Sequence, residues 1–246
     1  MEKVKQSNKL FEPRLRVDLR NLNEIKQKLT VCEKLGIENL ILEPKKETFK
    51  IESEKKREIR EQTEVNIFFR NTYYIEDLKE LKQKIQHFRE SEDIVSIESP
   101  NQEVQSYAAR DSRIDLISFS DYRLLKTFSE GVLSLAEQNN SFIEFCLNSI
   151  MIKKKSYQSK VFRNLYKIID KGINQTFIIS GNFEDTYDLR HPRSLISIIH
   201  TLFEVPLSKA KKAFGENVEL LLKRVELRTN PLRFEDGVKI IKEDTK

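Results

Sequence analysis

Ala108-Ala109-Arg110-Asp111-Ser112-Arg113-Ile114-Asp115-Leu116-Ile117-Ser118-Phe119-Ser120 opens as the end of a helix and closes as a short apolar run around one acid. The run Ile114–Phe119 is too short for a helix that holds a fold together, and it reads as a strand buried on both faces. An acid inside such a strand is costly unless something pairs with it. Arg110 and Arg113 lie just upstream, and one reading has them close a structural ion pair with Asp111 or Asp115.

Outward from this strand the same grammar recurs. Leu15–Leu19 reads as a first strand. Asn21 then caps a helix, with Glu24 at the capping-box spacing. Ile25, Leu29, Cys32 and Leu35 step along one face of that helix, and Gly36 ends it as a left-handed cap would. Strands follow at Ile37–Leu42, Val65–Phe69 and Ile94–Ile97, with helices over Ile75–Phe88 and Gln102–Arg110. Beyond the central strand come a helix over 128–138 and a strand at Phe142–Leu147. A further helix turns Val161, Phe162, Leu165, Ile168 and Ile169 inward and stops at Gly172, before a strand at Thr176–Ile179. Two closing helices fit 192–204, with Pro192 in the first turn, and 208–226, with Ser208 as cap. Residues 1–13 and 229–246 read as flexible ends of a single domain over 14–228. Seven strands alternating with helices imply a parallel sheet with right-handed crossovers. We expect an α/β fold, one distorted barrel rather than a doubly wound open sheet, with functional groups at the carboxyl ends of the strands.

The 246 residues carry 44 Lys and Arg against 39 Asp and Glu, a net charge of +5. That excess permits a polyanionic partner without requiring one. Residues 44–62, with Glu64 just past them, mix seven Lys or Arg with six Glu, the pattern of a solvated helix or excursion. Between Met151 and Gly172 the balance differs: seven Lys or Arg stand against Asp170 alone, +6 in one stretch. This is either a solvated face or a phosphate-contacting patch. Cys32 and Cys146 belong to no CxxC or His-flanked pair and read as buried free thiols. No apolar run reaches membrane-spanning length and no signal-peptide core opens the chain, so a soluble cytosolic protein is expected. His87 and His200 fall within helices, and His191 sits where it can cap the helix after it. The chain lacks a Gly-x-Ser-x-Gly elbow, a phosphate loop and a Gly-x-Gly-x-x-Gly fingerprint. Neither a catalytic residue nor a protein-borne metal site is expected. Ser180-Gly181 ends the seventh strand, where a turn or a close backbone approach calls for glycine.

Four segments resemble, in order, the 30-kDa-type protein subunit family of archaeal and eukaryotic ribonuclease P, component 3 in archaea. They are Asp18 in the first strand, Leu35-Gly36-Ile37-Glu38-Asn39-Leu40, the segment Ala109–Phe119, and Ser180-Gly181 followed by Leu189-Arg190-His191-Pro192-Arg193-Ser194-Leu195. The resemblance implies a distorted TIM-like (β/α) barrel, related to the metal-dependent (PHP-like) phosphoesterase barrels but lacking their full ligand set. It implies a protein subunit of the ribonucleoprotein that removes the 5′ leader from precursor tRNA, with Mg²⁺ at the RNA subunit doing the chemistry. A small ferredoxin-like protein subunit is the implied partner. On this resemblance Arg110, Arg113, Arg190 and Arg193 become candidates for RNA or partner contact, and the central strand part of an RNA-facing edge. Lys153, Lys154 and Lys155 are nominated on charge alone. The alternative is a protein-only metal-dependent phosphoesterase on the same barrel, with Asp18, Glu98, Asp115 and His191 converging at the strand ends.

Overall fold

Seven parallel strands lie side by side in chain order, in a computed structural model that describes residues 9–48, 50–89, 91–151, 154–172, 176–229, 233–235 and 238–239. They are β1 (Phe11–Val17), β2 (Asn39–Pro44), β3 (Asn66–Tyr74), β4 (Ile94–Glu98), β5 (Leu116–Phe119), β6 (Phe142–Cys146) and β7 (Phe177–Ser180). Helices α1 (Leu22–Leu35), α2 (Ser53–Arg60), α3 (Leu78–Phe88), α4 (Gln102–Arg110), α5 (Tyr122–Thr127), α6 (Glu130–Gln138) and α7 (Lys155–Gly172) form the crossovers. Then follow α8 (Pro192–Leu202), α9 (Leu207–Ala213) and α10 (Glu216–Thr229), and a hairpin of β8 (Arg233–Glu235) with β9 (Val238–Lys239).

The sheet nearly closes. Past β7 the chain turns at Gly181 and returns to β1, where Phe183 N–H donates to the Arg14 carbonyl at 3.2 Å and Arg16 N–H to the Phe183 carbonyl at 2.8 Å. That single parallel bridge, Leu15 to Phe183, stands where an eighth strand would. A methyl group on Gly181 would lie 2.0 Å from the Phe183 ring, so only glycine lets the seam form.

Inward side chains alternate with outward ones along each strand, and the interior falls into two layers. The lower layer is apolar: Phe11, Ile41, Ile94, Leu116, Phe142 and Ile178 meet Val218, Leu221 and Val225 of α10, which plugs the amino-terminal end of the barrel. Two residues further along the same strands the interior becomes polar, with Glu43, Ser96, Ser118, Glu144 and Ser180, all buried. Outside, the other strand face packs the helices in one larger apolar cluster.

Most local signals held, but Ser208 is not a cap: α9 starts at Leu207, and its N-cap Pro206 makes no side-chain cap bond. The Asn21 side chain caps α1 through the Glu24 N–H, and Gly36 ends it at φ +73°. The reciprocal half of the capping box is missing, because the Glu24 carboxylate pairs with Lys28 and Lys45 instead. His191 caps α8, its Nδ1 accepting from Arg193 N–H at 2.9 Å. Cys32 and Cys146 are free and buried.

Several boundaries need correction. β1 starts at Phe11, so Phe11 and Glu12 are buried barrel residues rather than part of a flexible end. β3 runs five residues past Phe69, to Tyr74. The helix expected over 128–138 is α6, starting at Glu130 behind its cap Ser129, and a short helix not expected from the sequence, α5, precedes it. The one expected over 208–226 is two, α9 and α10. Its break falls at Gly215, where a Cβ would meet the Lys9 carbonyl at 2.8 Å. The charged stretch 44–62 does contain a helix, α2, but Lys56 and Ile59 on it are buried, Lys56 on Asp93 at 2.5 Å.

Candidate functional site

The carboxyl-terminal mouth of a (β/α) barrel is where catalytic groups gather, and here it is filled by ion pairs. Arg14 from β1 contacts Glu43 of β2 and Glu98 of β4, both at 2.8 Å. Arg70 from β3 contacts Glu43 at 3.0 Å, and reaches both oxygens of Glu144 on β6, at 2.8 and 2.9 Å. Ser118 and Ser96 each accept a guanidinium N–H. Burial alone would raise the Glu144 carboxyl, but Arg70 and Arg14 beside it hold it down at about 2. Glu43 is likewise held below its ordinary value by the two arginines, against its own burial. Burial, with Glu144 nearby, pushes the Cys146 thiol up to about 12, so it stays protonated and unreactive. Glu12 is the exception, because no cation among the described residues pairs with it. Its Oε1 accepts the N–H groups of Gly181 and Arg14, yet burial pushes its carboxyl up to about 8. Each charged carboxylate of the mouth is matched by a guanidinium, and the unmatched one is held neutral.

The residues required by a metal-hydrolase reading do not converge. Glu98 is bound to Arg14, and Asp115 lies at the opposite end of the barrel, before the first residue of β5. Asp18 accepts Arg20 N–H in a local turn, and His191 spends its Nδ1 on its helix cap. Among the described residues, no group of three or more His, Cys, Asp or Glu side chains is placed to hold a metal ion.

The arginines flanking Asp115 are not its partners. Arg113 closes on Asp111 at 2.7 Å. Asp115 instead accepts the Val95 N–H and pairs with Arg228 at 2.9 Å and Arg224 at 3.5 Å, both from α10. Arg228 also donates to the carbonyls of Phe88, Ser91 and Asp93. Arg224 donates to those of Asn139, Asn140 and Ile114. The two arginines thus stitch the loops that precede β4, β5 and β6 to the helical plug.

The nominated basic residues separate into two groups. Arg110 and Arg113 border an open cleft of about 1110 Å³ at the amino-terminal end of the barrel, together with Arg89, Lys223 and the clamp arginines. Arg190, Arg193, Lys154 and Lys155 lie at the carboxyl-terminal end, where the chain leaves β7 and β6, and all four are exposed. Lys153 lies outside the described residues. Arg190 turns back on its own loop, donating to the carbonyls of Tyr187 at 2.7 Å and Leu189 at 2.8 Å. It therefore braces the turn that presents Tyr187, the most solvent-exposed large apolar residue among those described, at 89%. Arg193 makes no ion pair with a described residue.

The family model described as RNase P subunit p30 matches residues 13–230. This chain belongs to the RNase P subunit p30 family. It is a protein subunit of the ribonuclease P ribonucleoprotein, which removes the 5′ leader of precursor tRNA. Among solved structures, a chain of an archaeal ribonuclease P with mature tRNA superposes with a TM-score of 0.77 at 17% identity, covering 96% of this chain and all of that one. A putative prolidase from Bifidobacterium longum superposes at 0.55 with 8% identity, over 88% of this chain and 69% of that one. At such identities the superpositions speak for the fold, a TIM-like barrel. No curated protein sequence matches. Sequence reasoning missed Arg14, Glu43, Arg70 and Glu144, the residues that fill the mouth of the p30-family barrel. The one available signal was a lone charge inside a strand that otherwise carries none, as with Glu43, Arg70 and Glu144.

Proposed function

We propose that this subunit contributes RNA contacts and shape to ribonuclease P and is not itself the catalyst. The observation that carries this is the ionic filling of the barrel mouth. A hydrolytic site needs carboxylates free to bind a metal or move a proton, and Glu43, Glu98 and Glu144 are each engaged by Arg14 or Arg70. The chemistry then belongs to the RNA subunit with its Mg²⁺. Ribonuclease P RNA and precursor tRNA are the nucleic-acid partners, and a small ferredoxin-like protein subunit is the proposed neighbour. Arg193, Lys154 and Lys155 contact phosphates at the carboxyl-terminal rim, with Arg190 positioning the Tyr187 turn beside them. Arg110 and Arg113 make a separate contact, with RNA or a protein subunit, at the other end. The fold match to a chain solved in a complex with tRNA supports this assignment.

The test is precursor-tRNA cleavage by the complex purified through this chain, before and after its RNA is digested, with the digesting nuclease inactivated first. Activity should vanish with the RNA and return when RNA subunit is added back. Activity that survives RNA removal would overturn the proposal and place a nuclease site in the protein.

A further inference from the structure

Several helices of this barrel pair some of their cations with acids on the same or the next helix. Lys28 pairs with Glu24 on α1, Lys55 with Glu58 on α2, and Lys84 with Glu80 on α3. Lys212 at the end of α9 pairs with Glu216 at the start of α10. Among the described residues, α7 holds no such pair. Val161, Leu165, Ile168 and Ile169 bury one face of it. Half-buried Tyr157 meets Tyr122 of α5 edge to face at 5.0 Å, and Phe162 packs on Phe203 beyond α8 at 4.8 Å. The opposite face exposes Lys160, Arg163 and Lys167. None of the three makes an ion pair with a described residue, and Arg163 bonds only the Ser159 carbonyl of its own helix.

At spacings of three and four residues these cations form one row over about 10 Å of helix. The row begins below Lys154 and Lys155, exposed at the carboxyl-terminal rim. No large apolar side chain is exposed on α7. A protein-binding face is expected to offer an aromatic or aliphatic anchor at its centre, whereas a regular line of unpaired cations with polar neighbours fits a string of phosphates.

We propose that the outer face of α7, through Lys160, Arg163 and Lys167, is an electrostatic contact for the backbone of ribonuclease P RNA, continuing the rim down the side of the barrel. This rests on the reading of the chain as an RNA-contacting subunit. The contact is independent of base sequence and is read through its salt dependence.

The experiment titrates the full-length chain into ribonuclease P RNA at a series of KCl concentrations, with the other protein subunits held constant. Four proteins are compared: wild type, Lys160→Gln/Arg163→Gln/Lys167→Gln, the charge-keeping Lys160→Arg/Arg163→Lys/Lys167→Arg, and a control Lys26→Gln/Lys34→Gln/Lys79→Gln. The three Gln changes on α7 should lower the slope of log K against log salt by about 2, near 0.7 per lost phosphate contact. The charge-keeping and control proteins should retain the wild-type slope. Wild-type binding with an unchanged slope in the α7 variant overturns this inference alone, as does an equal loss in the control. Failure of the wild-type chain to bind RNA at all overturns the RNA-contact reading and this inference with it.

Discussion

Glu12 is a buried carboxyl that accepts backbone N–H groups and pairs with no described cation, and its protonation couples the fold to pH. Its unfolded form ionises near 4.5 and its folded form near 8, so the folded state holds the extra proton between these values. Stability from this group is full below 4.5 and falls as pH rises towards 8, by up to about 1.4 kcal/mol per unit. Glu144 works with the opposite sign: held at about 2 by Arg70 and Arg14, it stabilises above 4.5 and loses that as pH falls towards 2. Replacing Glu12 by Gln keeps the acceptor used by Gly181 and Arg14 and removes the titration. The stability difference between Glu12→Gln and wild type, from urea unfolding at pH 5, 6.5 and 8, should move in the variant's favour at each step. A difference that stays constant with pH would mean that Glu12 is ionised in the folded protein.

Among the elements, α10 does the most for the least legible reason. Its apolar side plugs the barrel with Val218, Leu221 and Val225, while Arg224 and Arg228 hold three loops and neutralise Asp115. Breaking a buried pair strands the remaining charge. Arg228→Met should therefore cost about 3–5 kcal/mol, read as a lower urea midpoint with unchanged m. Arg113→Met removes only the half-exposed pair with Asp111 and should cost less than about 1 kcal/mol. Equal costs would reinstate the neighbour in sequence as the partner of Asp115. The contrast with α1 is instructive. There Asn21, Glu24 and Gly36 act within a few residues of one another, and the helix was readable to its last turn.

At the scale of the whole molecule, the barrel sends its basic residues to two ends. Arg110 and Arg113 precede β5 and so lie at the amino-terminal end, while Arg193 follows β7 and lies at the other. If both ends contact the ribonucleoprotein, they do so without a shared side chain, and distant sites add. The losses in holoenzyme assembly caused by Arg110→Ala and Arg193→Ala should combine in the double variant to within about 0.5 kcal/mol, measured by titrating each protein into a cleavage reconstitution. A strongly non-additive pair would mean that a common element joins the two ends.

The alternation of strands and helices, the capped helix ends and the four family segments were all present in the order of the residues. Each depends on contacts along a few positions of chain, where periodicity and backbone preference act directly. The filled mouth of the barrel was not legible in that way. Arg70 and Thr72 fell past the expected end of the third strand at Phe69, because a charge inside a strand has the same local pattern as one just beyond it. Its sense changes only when Glu43 and Glu144 arrive from other strands, Glu144 from 74 residues away. Asp115 posed the same problem more sharply: its partner Arg228 is 113 residues distant, and two nearer arginines offered themselves first. A buried charge is stabilised by whatever opposite charge the closed barrel brings within about 3 Å, and that proximity exists only once the strands have come round to meet.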